Sequence, residues 1–299
     1  MTVTGTEQRV YGTLIKSGVL SYQFSFPISC GFYYDSYNIA FDKYNYLYAV
    51  IYRSIYKFDM YGNFILSFKI SGPGHPEFNG AGGIFVTNND EVYVTTQSGI
   101  FVFSLTGTFI RYVLQTSTWL GLQSICIDRD NIYMYALNRI QLLNSPIYVE
   151  KYTLDGNLIN STLIDLPLYG MVGNSGITVT TNEIHIPAND YIFVYDLNCN
   201  YITKYNGNTD ILYNAEYMYG MATNYKDRVI TMRDARYFEI FNSNHKLLFT
   251  SPMQNPLEPL PDRGHNGQGV ACVTINKNET FLYFVESYAC KIHVWKLVG

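Results

Sequence analysis

Short apolar stretches alternate with polar turns along the whole chain, and one arrangement of them repeats. A clear copy runs from Ile39 to Phe68: an apolar strand, a polar turn, an aromatic strand, a third strand, a turn with glycine and a fourth strand. Further first strands are predicted to begin near Ile84, Ile125, Ile177, Met221 and Val270. Four strands per unit and a period of about 40–50 residues predict an all-β protein, a six-bladed β-propeller with four-stranded antiparallel blades.

The predicted turns between third and fourth strands recur at regular intervals. They contain Gly62, Gly107, Gly156, Cys199 and Ser243, which lie 43 to 49 residues apart. Glycine suits such a hairpin because it accepts a positive φ without steric cost. Asn lies on both sides of Cys199 and Ser243, and Asn is the next-best residue for left-handed backbone.

The last copy supplies only three strands, Val270–Thr274, Phe281–Val285 and Lys291–Trp295, before Gly299. Residues 17–24 resemble the missing fourth strand. We therefore predict that this N-terminal segment pairs with Lys291–Trp295 and closes the ring, which removes exposed sheet edges. A single propeller domain over residues 1–299 is the predicted organisation, since all-β rings reach this length as one unit.

Composition and charge fit this fold and exclude one class of partner. Hydrophobic residues make up 47% of the chain and charged residues 15%, as buried sheet faces require. The net charge is −4, whereas nucleic-acid binding depends on neutralising phosphates. The predicted blade-to-blade loops are acidic as well, with Asp35, Glu77, Asp165, Asp210, Glu216, Glu258 and Asp262 against Lys69 and Arg263. No nucleic-acid partner is predicted.

Three kinds of motif indicate a family. Gly72–Ile84 looks like a glycine-rich lead-in, Asn138–Gln141 like a third-strand motif, and Asp59–Gly62 and Thr153–Gly156 like the hairpin. With these motifs aligned, the chain resembles the NHL-repeat family over nearly its whole length. The resemblance implies a six-bladed propeller. Some NHL propellers bind single-stranded RNA through a basic face, which the acidic loops here do not match.

Six-bladed propellers include metal-dependent lyases and lactonases, which hold Ca²⁺, Mg²⁺ or Zn²⁺ near the central channel. His185 is expected in a second strand and His245 in an outer hairpin, so at most two histidines, those of the blade-to-blade loops, are expected to converge. If the chain holds a metal, the candidate ligands are His75, Glu77, Asp262 and His265.

The innermost strands give little sign of such a site. They carry small and apolar residues, with Asp42, Asp128 and Asn224 only at strand ends. The sequence has no Ser-His-Asp spacing, nucleophile elbow or phosphate loop. We therefore predict no catalytic residue and no cofactor, and keep a metal-dependent lyase or lactonase as the main alternative.

Aromatic residues are the most prominent feature of the predicted loops. Tyr and Trp bury much area at low rotamer cost and so serve as binding anchors, although they also fill gaps between blades. Arginines near the second-to-third-strand loops add hydrogen-bonding groups to the same face. The predicted binding face comprises Tyr33, Tyr34, Tyr37, Phe78, Trp119, Tyr169, Tyr217, Tyr219, Arg53, Arg139, Arg233 and Arg236.

These observations predict a non-catalytic protein-interaction or structural-assembly module, such as a component of a virion or another large particle. A glycan-binding propeller is a further alternative, in which the loop aromatics stack on sugar rings. Residues 1–7 are polar and resemble no signal peptide, and no apolar run is long enough for a membrane span. We therefore expect protein partners, no membrane insertion, and a cytoplasmic or particle-bound location.

Overall fold

A computed structural model gives the architecture of the chain. It describes residues 2–3, 8–10, 13–15, 19–28, 37–51, 53–71, 81–96, 99–115, 122–139, 146–164, 176–188, 191–206, 218–223, 227–233, 237–252, 270–276, 278, 280–286 and 291–298. Within these ranges all regular secondary structure is β. Six antiparallel sheets form the ring, which confirms the predicted six-bladed propeller.

In blades 1 to 5 the four strands follow one another in sequence order from the centre outward. Blades 1 and 2 comprise Tyr37–Phe41, Leu47–Ile51, Ser54–Phe58 and Phe64–Lys69, then Ala81–Val86, Glu91–Thr96, Gly99–Ser104 and Phe109–Gln115. Blades 3 and 4 comprise Leu122–Ile127, Tyr133–Arg139, Ile147–Thr153 and Leu158–Ile164, then Thr178–Val179, Glu183–Ala188, Tyr191–Asp196 and Tyr201–Asn206. Blade 5 comprises Met218–Thr223, Val229–Arg233, Tyr237–Phe241 and Leu247–Pro252.

Blade 6 joins the two ends of the chain, as predicted. Its strands Val270–Ile275, Phe281–Glu286 and Lys291–Val298 are followed in the sheet by Val19–Pro27. The closing strand lies slightly later than the predicted residues 17–24, and its register pairs Val294 with Phe24 and Lys291 with Pro27. The short strand Thr2–Val3 adds a fifth member outside it, and Gln8–Val10 pairs with Thr13–Ile15 in a separate hairpin.

The outer hairpins of blades 1 to 5 share one geometry. Each begins with a polar residue whose side-chain oxygen accepts backbone N–H groups of the turn; Asp59 Oδ1, for example, accepts from Tyr61 and Asn63 at 2.9 Å. Three residues later the backbone is left-handed, with φ values between 60° and 89° at Gly62, Gly107, Gly156, Cys199 and His245. The prediction was right for Cys199 and wrong for Ser243. The anchor Asn242 fixes the turn and so places His245, not Ser243, at the left-handed position.

A second repeated position lies in the second strand and faces the next blade. In blades 1, 3 and 6 it holds a buried tyrosine whose hydroxyl donates to a carbonyl of the next outer hairpin: Tyr48 to Leu105, Tyr135 to Leu197 and Tyr283 to Met60, at 2.9–3.3 Å. Tyr93 fills it in blade 2, Ile230 in blade 5 and His185 in blade 4. The tyrosines of blades 1, 3 and 6 therefore join their blade to the outer hairpin of the next one.

Candidate functional site

The central channel is walled by the first strands of all six blades and encloses a cavity of about 220 Å³. Ile39, Ile84, Ile125, Ile177 and Met221 are among its lining residues, and all five are buried. The apolar wall agrees with the sequence-based description of the innermost strands. Asn224 lies outside the described residues.

Several polar groups at the channel are engaged in holding the fold together. Asp128 accepts N–H groups of its own turn, from Ile132 at 2.7 Å and Tyr133 at 3.2 Å. Arg129 forms an ion pair with Asp227 of blade 5 at 2.7 Å. Ser124 accepts the N–H of Ile177 in blade 4. These groups position backbone and blades, which fits a structural role for the described channel wall.

The predicted loop face falls largely outside the described residues. This holds for its members Tyr33, Tyr34, Phe78, Trp119, Tyr169, Tyr217 and Arg236, and for the candidate metal ligands His75, Glu77, Asp262 and His265. Tyr37 and Tyr219 were expected in the blade-to-blade loops, but they lie within first strands. Arg53 lies in the second-to-third-strand turn of blade 1, and Arg139 and Arg233 end second strands, as predicted for these arginines. The assignment of Asn138–Gln141 to a third strand was wrong, because Asn138 and Arg139 belong to the second strand of blade 3 and its third strand is Ile147–Thr153.

A different surface of the described structure displays apolar side chains. The fourth strand of each blade carries a β-bulge just after the outer hairpin: in blade 1, Phe58 pairs with Phe64 and Lys57 with Leu66, which leaves Ile65 unpaired. The same shift recurs in the next four blades. The bulged residues, here called the rim aliphatics, are Ile65, Ile110, Ile159, Ile202 and Leu248.

The rim aliphatics are all exposed, between 37% and 49%. The residues before them in blades 1, 3 and 4 are also exposed and apolar: Phe64, Leu158 and Tyr201. In blade 6 the corresponding bulge holds the polar residue Gln23. A bulge re-aims a side chain, so the repeat turns an aliphatic residue outward at the circumference of five blades.

A cluster of ionisable side chains lies at the contact between blades 4 and 5. Glu183 and His185 come from the second strand of blade 4, and His245 from the outer hairpin of blade 5. Glu183 Oε2 lies 2.9 Å from His245 Nε2 and 3.5 Å from His185 Nε2. Together the three residues offer one carboxylate oxygen and two imidazole nitrogens within 4.8 Å of one another.

The surroundings of this cluster fix both rings. The Tyr205 ring stacks on His245 with centroids 4.8 Å apart and an interplanar angle of 5°. Its hydroxyl lies 3.3 Å from His185 Nδ1. Interactions with His185 and His245 lower the pKa of Glu183 to about 2, and burial lowers the pKa of His185. The carboxyl is therefore ionised and the buried imidazole neutral near pH 7.

The sequence-based expectation about histidines was wrong in this respect. His185 and His245 converge although they lie 60 residues apart in different blades. The repeat itself holds the signal: His185 takes the place of the blade-joining tyrosine, and His245 takes the place of the hairpin glycine. In blades 1, 3 and 6 the tyrosine reaches the outer hairpin of the next blade at the carbonyl two residues before the left-handed position.

The chain matches no protein-family model, and no curated protein matches it. The resemblance to NHL repeats accordingly stays a prediction, while the six-bladed fold follows from the strand order. Among the described residues, no helix has the length and apolar character needed to cross a membrane.

Proposed function

We propose that this propeller is a non-catalytic protein-interaction and structural-assembly module that contacts neighbouring proteins through its circumference. The observation that carries the proposal is the recurrence of an exposed aliphatic residue at the same bulge in five blades, the rim aliphatics. Scattered apolar residues on a protein surface are ordinary, but here the repeat places them at one equivalent position around the ring.

The free energy gained by burying one rim aliphatic is small, which favours a partner that contacts several blades over a single small ligand. Burying an isoleucine completely contributes roughly 1.5–3 kcal/mol, so a half-exposed one offers about 1 kcal/mol on contact. One such residue gives weak binding. Several blades contacted together add their contributions within one assembly, in which each further contact is effectively intramolecular.

Blades 3 and 4 offer the broadest part of this surface. Leu158 and Ile159 of blade 3 and Tyr201 and Ile202 of blade 4 are each about half exposed, between 48% and 55%. The Asn160 amide donates to the carbonyl of Asn198, which joins the two outer edges. We take this blade 3–4 rim as the main contact and a neighbouring protein of a larger particle, such as a virion, as its occupant.

The alternative functions depend on other parts of the chain. The lyase or lactonase site and the glycan-binding face rest on loop residues outside the described ranges. Three polar groups of the described channel wall, Asp128, Arg129 and Ser124, bond within the fold and so add no support to the lyase. The interaction module therefore has the strongest support.

The test is a double variant of the blade 3–4 rim, Ile159→Asp with Ile202→Asp. Tagged wild-type and variant proteins are produced in the native source, and their sedimentation after gentle lysis is compared. We expect wild type in a fast-sedimenting particle and the variant largely as free chain, since two buried carboxylates oppose packing.

Ile132→Asp is the matched control. Ile132 is 53% exposed but lies in the turn between the first two strands of blade 3, away from the rim. The control should sediment like wild type. A rim variant that stays in the particle, or a wild type that sediments as a free chain, contradicts the proposal.

A further inference from the structure

The contact between blades 4 and 5 differs chemically from the other described blade contacts. In blades 1, 3 and 6 a buried tyrosine such as Tyr135 or Tyr283 donates to a hairpin carbonyl of the next blade. Here His185 occupies the tyrosine position and His245 occupies the position that is glycine in three other hairpins. His245 adopts a left-handed backbone at a φ of 60°, which costs a non-glycine residue more than glycine, although histidine is among the residues that adopt it more often than others.

Blade 2 shows what the repeat does with a carboxylate at the Glu183 position. There Glu91 pairs with the guanidinium of Arg111, and both contact the Tyr93 hydroxyl. In blade 4 the residue equivalent to Arg111 is Thr203, which carries no charge. The carboxylate of Glu183 instead faces two imidazoles, of which that of His185 is buried.

His185 Nε2 is the second observation that indicates a ligand. This side chain is only 1% exposed, and its Nε2 makes no hydrogen bond among the described residues; the nearest acceptor, Glu183 Oε2, lies 3.5 Å away, too far for a good one. An unsatisfied buried nitrogen is costly, so one in a native fold calls for an explanation such as an absent ion. The Tyr205 hydroxyl lies 3.3 Å from Nδ1 and can accept a hydrogen bond from Nδ1–H. In that tautomer Nε2 carries the lone pair, which is directed at the cluster.

We propose that Glu183, His185 and His245 bind one Zn²⁺ ion, which links blade 4 to blade 5. In a tetrahedral zinc site with ligands about 2.0–2.1 Å from the metal, neighbouring ligand atoms lie roughly 3.3 Å apart. The separations of 2.9 and 3.5 Å from Glu183 Oε2 to the two nitrogens bracket that value. Only the two imidazoles need to approach each other, from a separation within 4.8 Å.

The ligand atoms of the cluster indicate the type of metal ion, and the exposure of two of its side chains shows how the ion can enter. Two imidazoles and one carboxylate suit a borderline transition-metal ion and not Ca²⁺ or Mg²⁺, which take mainly oxygen ligands. The side chains of Glu183 and His245 are 22% and 20% exposed, so an ion can enter from the solvent side. A water molecule from that side completes the fourth position.

The test uses the untagged full-length chain, treated with a chelator and then titrated with ZnSO₄ by calorimetry. We expect one Zn²⁺ per chain and a raised melting temperature, because the ligands come together only in the folded ring. Titration with Co²⁺ should give the visible absorption of a four-coordinate site.

His245→Gly is the most informative variant, since Gly is the residue of the equivalent hairpins and removes backbone strain. A second single variant is Glu183→Gln. Each of the two variants should weaken Zn²⁺ binding at least tenfold. Cys199→Gly changes the same hairpin position of blade 4 outside the cluster and should bind like wild type. The proposal is overturned if the wild type shows no saturable Zn²⁺ binding, or if both cluster variants bind as tightly as wild type.

Discussion

Two N-terminal deletions separate the closing strand from the residues that precede it. Removing residues 1–18 takes away the Thr2–Val3 strand, which makes two pairs with the sheet, and the hairpin after it. Removing residues 1–27 also takes away Val19–Pro27, which makes eight pairs with Lys291–Val298. We expect the short deletion to fold as a closed ring and the long deletion to open it.

The magnitude follows from what the closing strand buries. Phe26 is 7% exposed and packs on Phe58 of blade 1, with ring centroids 5.4 Å apart. Loss of a buried Phe side chain alone costs about 3–5 kcal/mol. The lost strand pairing adds to this, so the long deletion removes a large part of the roughly 5–15 kcal/mol by which domains are stable. The short deletion should lower the free energy of unfolding by less than about 1 kcal/mol, since it removes a two-residue strand at the sheet edge and no core residue.

The assay is urea unfolding with light scattering on the same samples. The short deletion should keep the wild-type urea midpoint and monomer mass. The long deletion should unfold at a lower urea concentration and associate through the unpaired Lys291–Val298 edge. Phe26→Ala in the full chain checks the core contribution without exposing that edge. Equal destabilisation by both deletions, or a stable monomer after the long one, would refute this reasoning.

The remaining predictions concern one hairpin and one ion pair. Gly156→Ala should lower the free energy of unfolding by about 2 kcal/mol or more in urea, because φ is 89° and the added Cβ would overlap the Val113 carbonyl; an unchanged midpoint would contradict the hairpin geometry. The hydrogen bonds from Arg111 lower the pKa of Glu91 below its usual 4.5, so this pair stabilises the fold above about pH 4.5 and its contribution is lost as the pH falls further. Glu91→Gln should therefore flatten the acid limb of the urea midpoint measured against pH, and a limb identical to wild type would contradict the pairing.

The ring could be predicted from the sequence because its elements are local and repeated. Apolar strands such as Leu47–Ile51 and the positions of Gly62, Gly107 and Gly156 are visible in the sequence. Closure by the N-terminal strand followed from the missing fourth strand of blade 6. The closing strand runs over Val19–Pro27 and not over the predicted residues 17–24, because its register is set by packing partners such as Phe26 that no local pattern specifies.

The features that matter for function are non-local, and this is why sequence reasoning missed them. The Glu183, His185 and His245 cluster requires knowing that the second strand of one blade meets the outer hairpin of the next. The sequence analysis placed the left-handed position of that hairpin at Ser243. The structure shows that the turn begins at Asn242, three residues before His245, so the role of His245 was missed. The rim aliphatics look like ordinary strand residues until the pairing shows that each lies on a bulge and faces outward.

Lysine crosslinking of the protein within its native-source assembly, followed by mass spectrometry, tests the central claim most directly. Lys204 and Lys246 are exposed at the outer parts of blades 4 and 5, whereas Lys43 lies in the turn between the first two strands of blade 1. An interaction module that uses its circumference predicts crosslinks to neighbouring proteins mainly from Lys204 and Lys246. Crosslinks concentrated at Lys43, or recovery of the chain as an isolated monomer, would contradict it.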